Sequence, residues 1–244
     1  DSKAKKESLI SKLKDMPFVL STKSEFKKPN EIYANDLKLK QYFEGYDLVF
    51  FVYDKVNDRF KEKCLLEFLK EIGVKESPKR LEFDPHLSEE DKNRLRNNAH
   101  RSLNKPETVK DFKLEGLENF ICRQLNLEKS VLLWSILLRS LNGLNSWDAK
   151  SFLSGSYEYE FYGSHRITFD SNYLKKLRMT KWLIDKEGNL KIPSEMTFSE
   201  LPDHYSKDNL NIDILRETLH FKPDVFDQLP EEVRNKLELV KDLS

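Results

Sequence analysis

Glycine is scarce in this chain, and what there is stands alone. The seven glycines, at positions 45, 73, 116, 143, 155, 163 and 188, never fall within two residues of one another. A GxGxxG dinucleotide fingerprint is therefore excluded, and because no two glycines lie five apart a GxxxxGK phosphate loop is excluded as well. Cysteine is nearly absent. Cys64 and Cys122 lie far apart and neither belongs to a CxxC pair, which argues against a disulfide scaffold and against structural zinc. Two buried, reduced thiols are the expectation, and such usage fits a cytoplasmic home. The most apolar stretch, Val131 to Leu138, is flanked by Lys129 and Arg139 and falls far short of the roughly 20 residues that a membrane span needs. Excess charge of one sign is missing too: Lys+Arg and Asp+Glu each number 42, so no global field selects nucleic acid or an anionic membrane. HExxH and GxSxG do not occur, and the histidines at 86, 100, 165, 204 and 220 show no helical pairing, which excludes a metal pair on one helix.

What is present suffices for a folded core. A chain of 244 residues with 38% hydrophobic content can form one large domain or two modest ones. Asp1 to Ser8 is Lys-rich, without an initiating Met or an apolar signal core, and reads as an excision point; a piece of a larger protein is expected. Leu9 to Lys14 ends a short helix, and Phe18-Val19-Leu20 and Phe26-Lys27 flank a small polar turn, as a β-hairpin that Pro29 stops. Glu31 to Lys40 reads as a short helix or turn, and Tyr46 to Tyr53 as a strand. Phe60, Cys64, Leu65, Phe68, Leu69 and Ile72 recur at helical spacing, with Gly73 where a C-cap needs a left-handed residue. Ser88 to Asp91 forms a capping box opening a charged, solvated helix to about Leu103. A short strand is expected within 106–114. Leu117, Phe120, Ile121, Gln124 and Leu125 share one helical face. The helix Leu127 to Leu141 is apolar nearly all round, the mark of a helix enclosed on most sides. Tyr157, Tyr159 and Phe161 alternate with Glu158, Glu160 and Tyr162 as in a half-buried strand, which Gly163 turns into Arg166 to Phe169. Ile212 to Leu219 is helical, as is Pro230 to Leu243 with Val233, Leu237 and Val240.

An internal repeat is the strongest pattern. Residues 9–37 align without a gap onto residues 173–201, a constant offset of 164. Phe18-Val19-Leu20 meets Trp182-Leu183-Ile184, Ser24 meets Gly188, Phe26-Lys27 meets Leu190-Lys191, and Pro29-Asn30-Glu31-Ile32 meets Pro193-Ser194-Glu195-Met196. Ile72 to Lys75 then matches Leu219 to Lys222 at an offset of 147, so the second copy has a spacer 17 residues shorter. A two-stranded hairpin is not stable alone and must lean on flanking helices, so each copy reads as a helix–hairpin–helix packing unit. Glu31 and Glu195 suit a helix entry; neither copy brings the second titratable partner that a catalytic acid would need.

The repeat unit, with Phe68 to Lys75 (FLKEIGVK), Leu114 to Leu125 (LEGLENFICRQL) and Thr180 to Pro202, resembles a segment of large bacterial sacsin-like proteins that carry an N-terminal GHKL-type ATP-binding domain. The resemblance implies a region downstream of that domain, which relays nucleotide state or holds partners. The ATPase's Asn-bearing helix and Asp-x-Gly-x-Gly loop are missing, so no catalytic residue carries over.

Candidate surfaces remain. Tyr157, Tyr159 and Phe161, with His165, Arg166 and the nearby Lys175, Lys176 and Arg178, form either a core face or a stacking platform with phosphate-binding charges. His165 is expected as an exposed turn residue. Asp148, Glu158 and Glu160 show no legible nuclease-like cluster. The expected architecture is α+β: modules 1–83 and 151–244 joined by a mainly helical connector, 84–150. The function expected is non-catalytic scaffolding or relay, with no catalytic residue, no metal and no cofactor. The partners are other domains of the parent chain, then another protein, with nucleic acid behind them and no membrane. The runner-up is a nucleic-acid or protein binding module using the Tyr157–Phe161 strand.

Overall fold

The computed structural model describes residues 2–53, 63–96, 107–160, 162–206 and 211–224. The fold is α+β. Its nine α-helices among the described residues are α1 (Ser2–Asp15), α2 (Leu37–Tyr42), α3 (Lys63–Ile72), α4 (Glu89–Leu95), α5 (Leu117–Ile121), α6 (Leu127–Leu141), α7 (Ser146–Leu153), α8 (Asn172–Met179) and α9 (Ile212–Leu219). The strands are β1 (Val19–Leu20), β2 (Phe26–Lys27), β3 (Arg80–Phe83), β4 (Thr108–Leu114), β5 (Ser154–Glu160), β6 (Ser164–Asp170), β7 (Leu183–Ile184) and β8 (Leu190–Lys191). They form two hairpins, β1-β2 and β7-β8, and one sheet of order β3-β4-β5-β6. The pairings β1–β2, β4–β5, β5–β6 and β7–β8 are antiparallel.

The chain divides into two compact units: Asp1–Glu82, Lys113–Gln124 and Ser135–Ser140 make the first, and Phe83–Phe112, Leu125–Trp134 and Leu141–Ser244 the second. Residues expected in a separate connector, 84–150, belong to both units.

In the first unit, Ile10 of α1 and Leu69 and Ile72 of α3 meet Val19, Ile32, Val52 and Val74 in one apolar cluster, with Leu13, Phe50 and Phe68 packed against it. The three-and-four spacing of Phe68, Leu69 and Ile72 puts one side of α3 inward. Gly73 ends that helix with φ 106°, the left-handed conformation that glycine enters without Cβ strain. A polar knot accompanies the cluster. The Tyr33 hydroxyl donates to the Glu115 carboxylate and accepts the Lys79 N–H at 3.0 Å, while the Tyr42 hydroxyl donates to the Glu115 carbonyl at 3.0 Å. Arg123 donates to the carbonyls of Gln41 and Tyr42, each at 3.1 Å, serving acceptors that the end of α2 leaves without helical donors.

In the second unit, Trp134 is fully buried and its ring lies 5.8 Å from Tyr205, 6.2 Å from Phe198, 6.3 Å from Trp182 and 6.4 Å from Phe221. Its indole N–H reaches the Ser206 carbonyl at 2.9 Å, so this large side chain is buried without an orphaned donor. Ser130, one turn earlier on α6, donates to the Trp182 carbonyl and touches the Tyr205 hydroxyl at 2.6 Å. Leu132, Leu133 and Leu141 are buried in this unit, and Ile136, Leu137 and Leu138, which belong to the first, are buried as well, as the all-round apolar pattern of α6 requires.

The two hairpins share register at the offset read from the sequence. Val19 opposes Lys27 and Leu20 opposes Phe26 in the first, while Leu183 opposes Lys191 and Ile184 opposes Leu190 in the second. At the turn, the Ser24 N–H donates to the Ser21 carbonyl and the Gly188 N–H to that of Asp185, each at 3.0 Å. Single-turn 3-10 helices follow at Pro29–Glu31 and Pro193–Glu195. Parallel bridges then join Tyr33 to Lys75 and Thr197 to Lys222. The helices before those last partners end on Gly73, φ 106°, and His220, φ 59°.

Several expectations need correction. Tyr46 to Tyr53 is not a strand: Phe51 and Val52 each make an isolated bridge, to Tyr33 and Ser21, because two different neighbours each supply one contact where a ladder needs a run. Helix α4 ends at Leu95 with Arg96 as its C-cap, and its expected continuation to Leu103 lies outside the described residues. Helix α5 stops at Ile121, so Leu125 is not on it. Cys122, the residue capping that short helix, is exposed, contrary to the expected burial. The Cys64 side chain, Phe60, and the Pro230 to Leu243 segment with Val233, Leu237 and Val240 lie outside the described residues. Strand β3 was not legible.

Candidate interaction surface

Strands β5 and β6 carry the residues singled out from the sequence. Their register sets Tyr157 opposite Ile167, Glu158 opposite Arg166 and Tyr159 opposite His165. Alternation sends Tyr157, Tyr159 and His165 to one face and Glu158 and Arg166 to the other. Tyr157 and Tyr159 stack at 5.2 Å, and Tyr159 stacks on His165 at 5.0 Å with rings 13° apart.

That column is not an open platform. Tyr157 is 0% and Tyr159 6% exposed, so neither ring can take a base between its face and solvent; the core-face reading is the one the packing supports. The cause is Arg96, whose guanidinium lies 5.8 Å from the Tyr157 ring and 6.0 Å from the Tyr159 ring. Arg96 is itself held by Glu107 at 3.0 Å and by the Asn93 side-chain oxygen at 2.6 Å. Lys92 braces Glu107 from its other oxygen at 3.1 Å. Burial raises the Tyr157 phenol above its ordinary range, and the negative charge of Glu107 adds to the shift. Phe161 lies outside the described residues.

His165 and Arg166 are exposed. His165 belongs to β6 and not to a turn, because the β5–β6 ladder runs on to Glu160 and Ser164. Arg166 pairs with Glu158 at 3.5 Å. Thr108, Glu158, Tyr159, Glu160, Ser164, His165 and Arg166 line a shallow depression of about 330 Å³. Its charged side chains are Glu158, Glu160 and Arg166, an acidic excess that suits a polyanion poorly. Asp148 lies in the first turn of α7, where its N–H donates to the side chain of the capping residue Asn145 at 2.9 Å, and among the described residues no cluster of His, Cys, Asp or Glu could hold a metal ion.

Glu31 and Glu195 have matching local partners. Each carboxylate accepts the N–H of the residue three before it, Lys28 at 3.2 Å and Ile192 at 3.4 Å, which is the work of a helix-entry residue.

Sequence reasoning missed three residues that shape this surface. Arg96 and Glu107 were hidden in charged, solvated-looking segments, and only their tertiary meeting over Tyr157 reveals them. Asp111 is 4% exposed and accepts the Asn172 N–H at 2.8 Å, placing a carboxylate at the start of α8, where the helix dipole favours it. No protein-family model, curated protein or solved structure matches the chain.

Proposed function

We propose that this chain is a non-catalytic scaffolding or relay segment of a larger sacsin-like ATP-binding protein, built from two like helix–hairpin–helix modules, 1–83 and 151–244, around a mainly helical middle, 84–150. The observation that carries this reading is the shared hairpin: register, turn bond, 3-10 turn and parallel bridge recur at the offsets 164 and 147. What recurs is packing and backbone geometry. At the equivalent positions Phe18 and Trp182, Ser21 and Asp185, and Ser24 and Gly188, the side-chain chemistry differs. A duplicated catalytic centre would keep its reacting groups, whereas a duplicated scaffold needs only its fold. The partners on this reading are other domains of the parent chain or another protein, in the cytoplasm. No helix among the described residues is long and apolar enough to cross a membrane.

ATP binding and hydrolysis by the 244-residue chain, measured beside a version extended toward the N-terminus of its parent, tests the proposal. The expected result is no turnover by the chain alone and turnover by the longer protein, with coupling lost when this segment is deleted. Turnover by the chain alone that disappears on one substitution overturns it.

A further inference from the structure

Strand β6 ends its sheet, and among the described residues no segment pairs with its outer side. Which backbone groups point outward follows from one bond. The Ser171 N–H donates to the Leu153 carbonyl at 3.3 Å, one step beyond the opposed pair Ser154 and Asp170. In an antiparallel ladder, directly opposed pairs alternate between those that exchange hydrogen bonds and those that do not. Counting in twos from Ser171, the residues Phe169, Ile167 and His165 bond to β5. Ser164, Arg166, Thr168 and Asp170 therefore direct their N–H and C=O groups away from the sheet. Four residues of outward donors and acceptors on one strand form a template for another strand.

The side chains on that edge select the occupant. Arg166 and Asp170 lie two residues to either side of Thr168, on the same face of the sheet. An antiparallel copy of β6 related by a two-fold axis through Thr168 would set each Arg166 directly opposite Asp170 of the other copy, and Thr168 opposite itself. On the opposite face Ile167 would meet Phe169. Opposite charges, paired threonines and a β-branched residue against an aromatic are each favourable cross-strand pairs. Arg166 already faces Glu158 across β5–β6 at 3.5 Å, and Asp170 already holds Arg178. The joined sheets thus carry a row Glu158, Arg166, Asp170, Arg178 that alternates in sign across the two-fold. Both ends of the pair are accessible, the side chains of Arg166 and Asp170 being 52% and 44% exposed.

We propose that the chain forms a symmetric dimer in which β6 pairs antiparallel with β6 of a second copy about Thr168, joining the two sheets into one. This goes beyond the scaffold reading and does not rest on it, since edge pairing is independent of whether the chain is catalytic. The interface is isologous, so it closes at two copies and does not propagate.

The test is sedimentation velocity on the 244-residue chain over a wide concentration range. The wild-type chain is expected to rise from its monomer mass of 28.9 kDa toward a dimer. Thr168→Pro removes an outward N–H that the monomer does not use, so the circular dichroism spectrum is kept while the dimer is lost. Thr168→Lys places two ammonium groups face to face on the two-fold and weakens dimerisation at least ~10-fold, with the monomer fold unchanged. It also decides the matter if the proline variant fails to fold. A wild-type chain that stays monomeric at every concentration, or a dimer that Thr168→Lys leaves intact, overturns the proposal.

Discussion

The first and second hairpins reach one backbone by different chemistry. In the first, the Ser21 hydroxyl accepts a single turn bond, from the Glu25 N–H at 3.2 Å. In the second, Asp185 accepts the Glu187 N–H at 3.0 Å, the Asn189 N–H at 2.8 Å and the Asn189 side-chain amide at 3.2 Å. Ser24 holds φ 60° where Gly188 holds φ 87°, so the first turn carries a Cβ in the left-handed region and the second does not. Phe18 is 36% exposed, whereas Trp182 is fully buried and donates its indole N–H to the Leu177 carbonyl at 2.8 Å. The second hairpin is the better satisfied and more deeply anchored copy. Register survives these differences because it depends on turn length and strand spacing, which the copies share.

The largest expected effect breaks that anchoring asymmetry. Trp182→Ala removes a buried ring and should cost about 3–5 kcal/mol in urea unfolding, while Phe18→Ala should cost about 1 kcal/mol because its ring is partly solvated already. Equal losses would remove the distinction. Next is Glu107→Ala, which strips the buried Arg96 guanidinium of its carboxylate and should cost about 3 kcal/mol; Glu107→Gln, keeping an acceptor, should cost less. Gly155→Ala sets a methyl group 2.5 Å from the Phe169 ring and 2.9 Å from the Lys110 carbonyl oxygen, and a loss of about 1–3 kcal/mol is expected, read from the same unfolding curves.

Acid should separate the hairpins. Burial alone would raise the Asp185 carboxyl, but hydrogen bonds from the Asn189 N–H and side chain and the Glu187 N–H, with Lys191 nearby, hold it below its ordinary value. A carboxyl depressed by folding adds stability that is present above its unfolded pKa, about 3.9, and is lost as pH falls through the lower folded value. Protection of the Gly188 and Asn189 amides, relative to their intrinsic exchange rates, should therefore fall below about pH 4, an effect blunted by Asp185→Asn, whereas Ser21 gives the first turn no such dependence. The smallest change expected is in the turns themselves: Ser24→Gly should stabilise by up to about 1 kcal/mol and Gly188→Ser destabilise by a similar amount. Matching responses to both would erase the contrast.

Helices were legible where apolar spacing was strong. The limits of Leu127–Leu141 and Ile212–Leu219 agree with the sequence pattern because burial on one side or all sides leaves a periodic trace. The hairpins were legible through their repetition, since coincidence at a fixed offset adds information that two-residue strands lack. Tyr46 to Tyr53 misled because an apolar run of β-forming residues states a preference for extension and leaves the pairing partner open. Cys122 misled for a similar reason: general burial of thiols says nothing about a residue just past a short helix. On the candidate surface, the alternation of Tyr157 and Tyr159 was legible, but the presence of Arg96 over their rings was not.

By itself, then, the sequence determined the periodic elements, the presence and fixed offset of the two hairpins and the absence of glycine-rich phosphate loops. These are local quantities, set by side-chain spacing and by the conformational limits of glycine and proline. Tertiary structure alone decided that Arg96 and Glu107 close over Tyr157, that Asp111 serves the start of α8 and that β6 stands at a sheet edge. Each depends on which distant segments meet, and burial converts an ordinary charge into a structural one only once that meeting has excluded water.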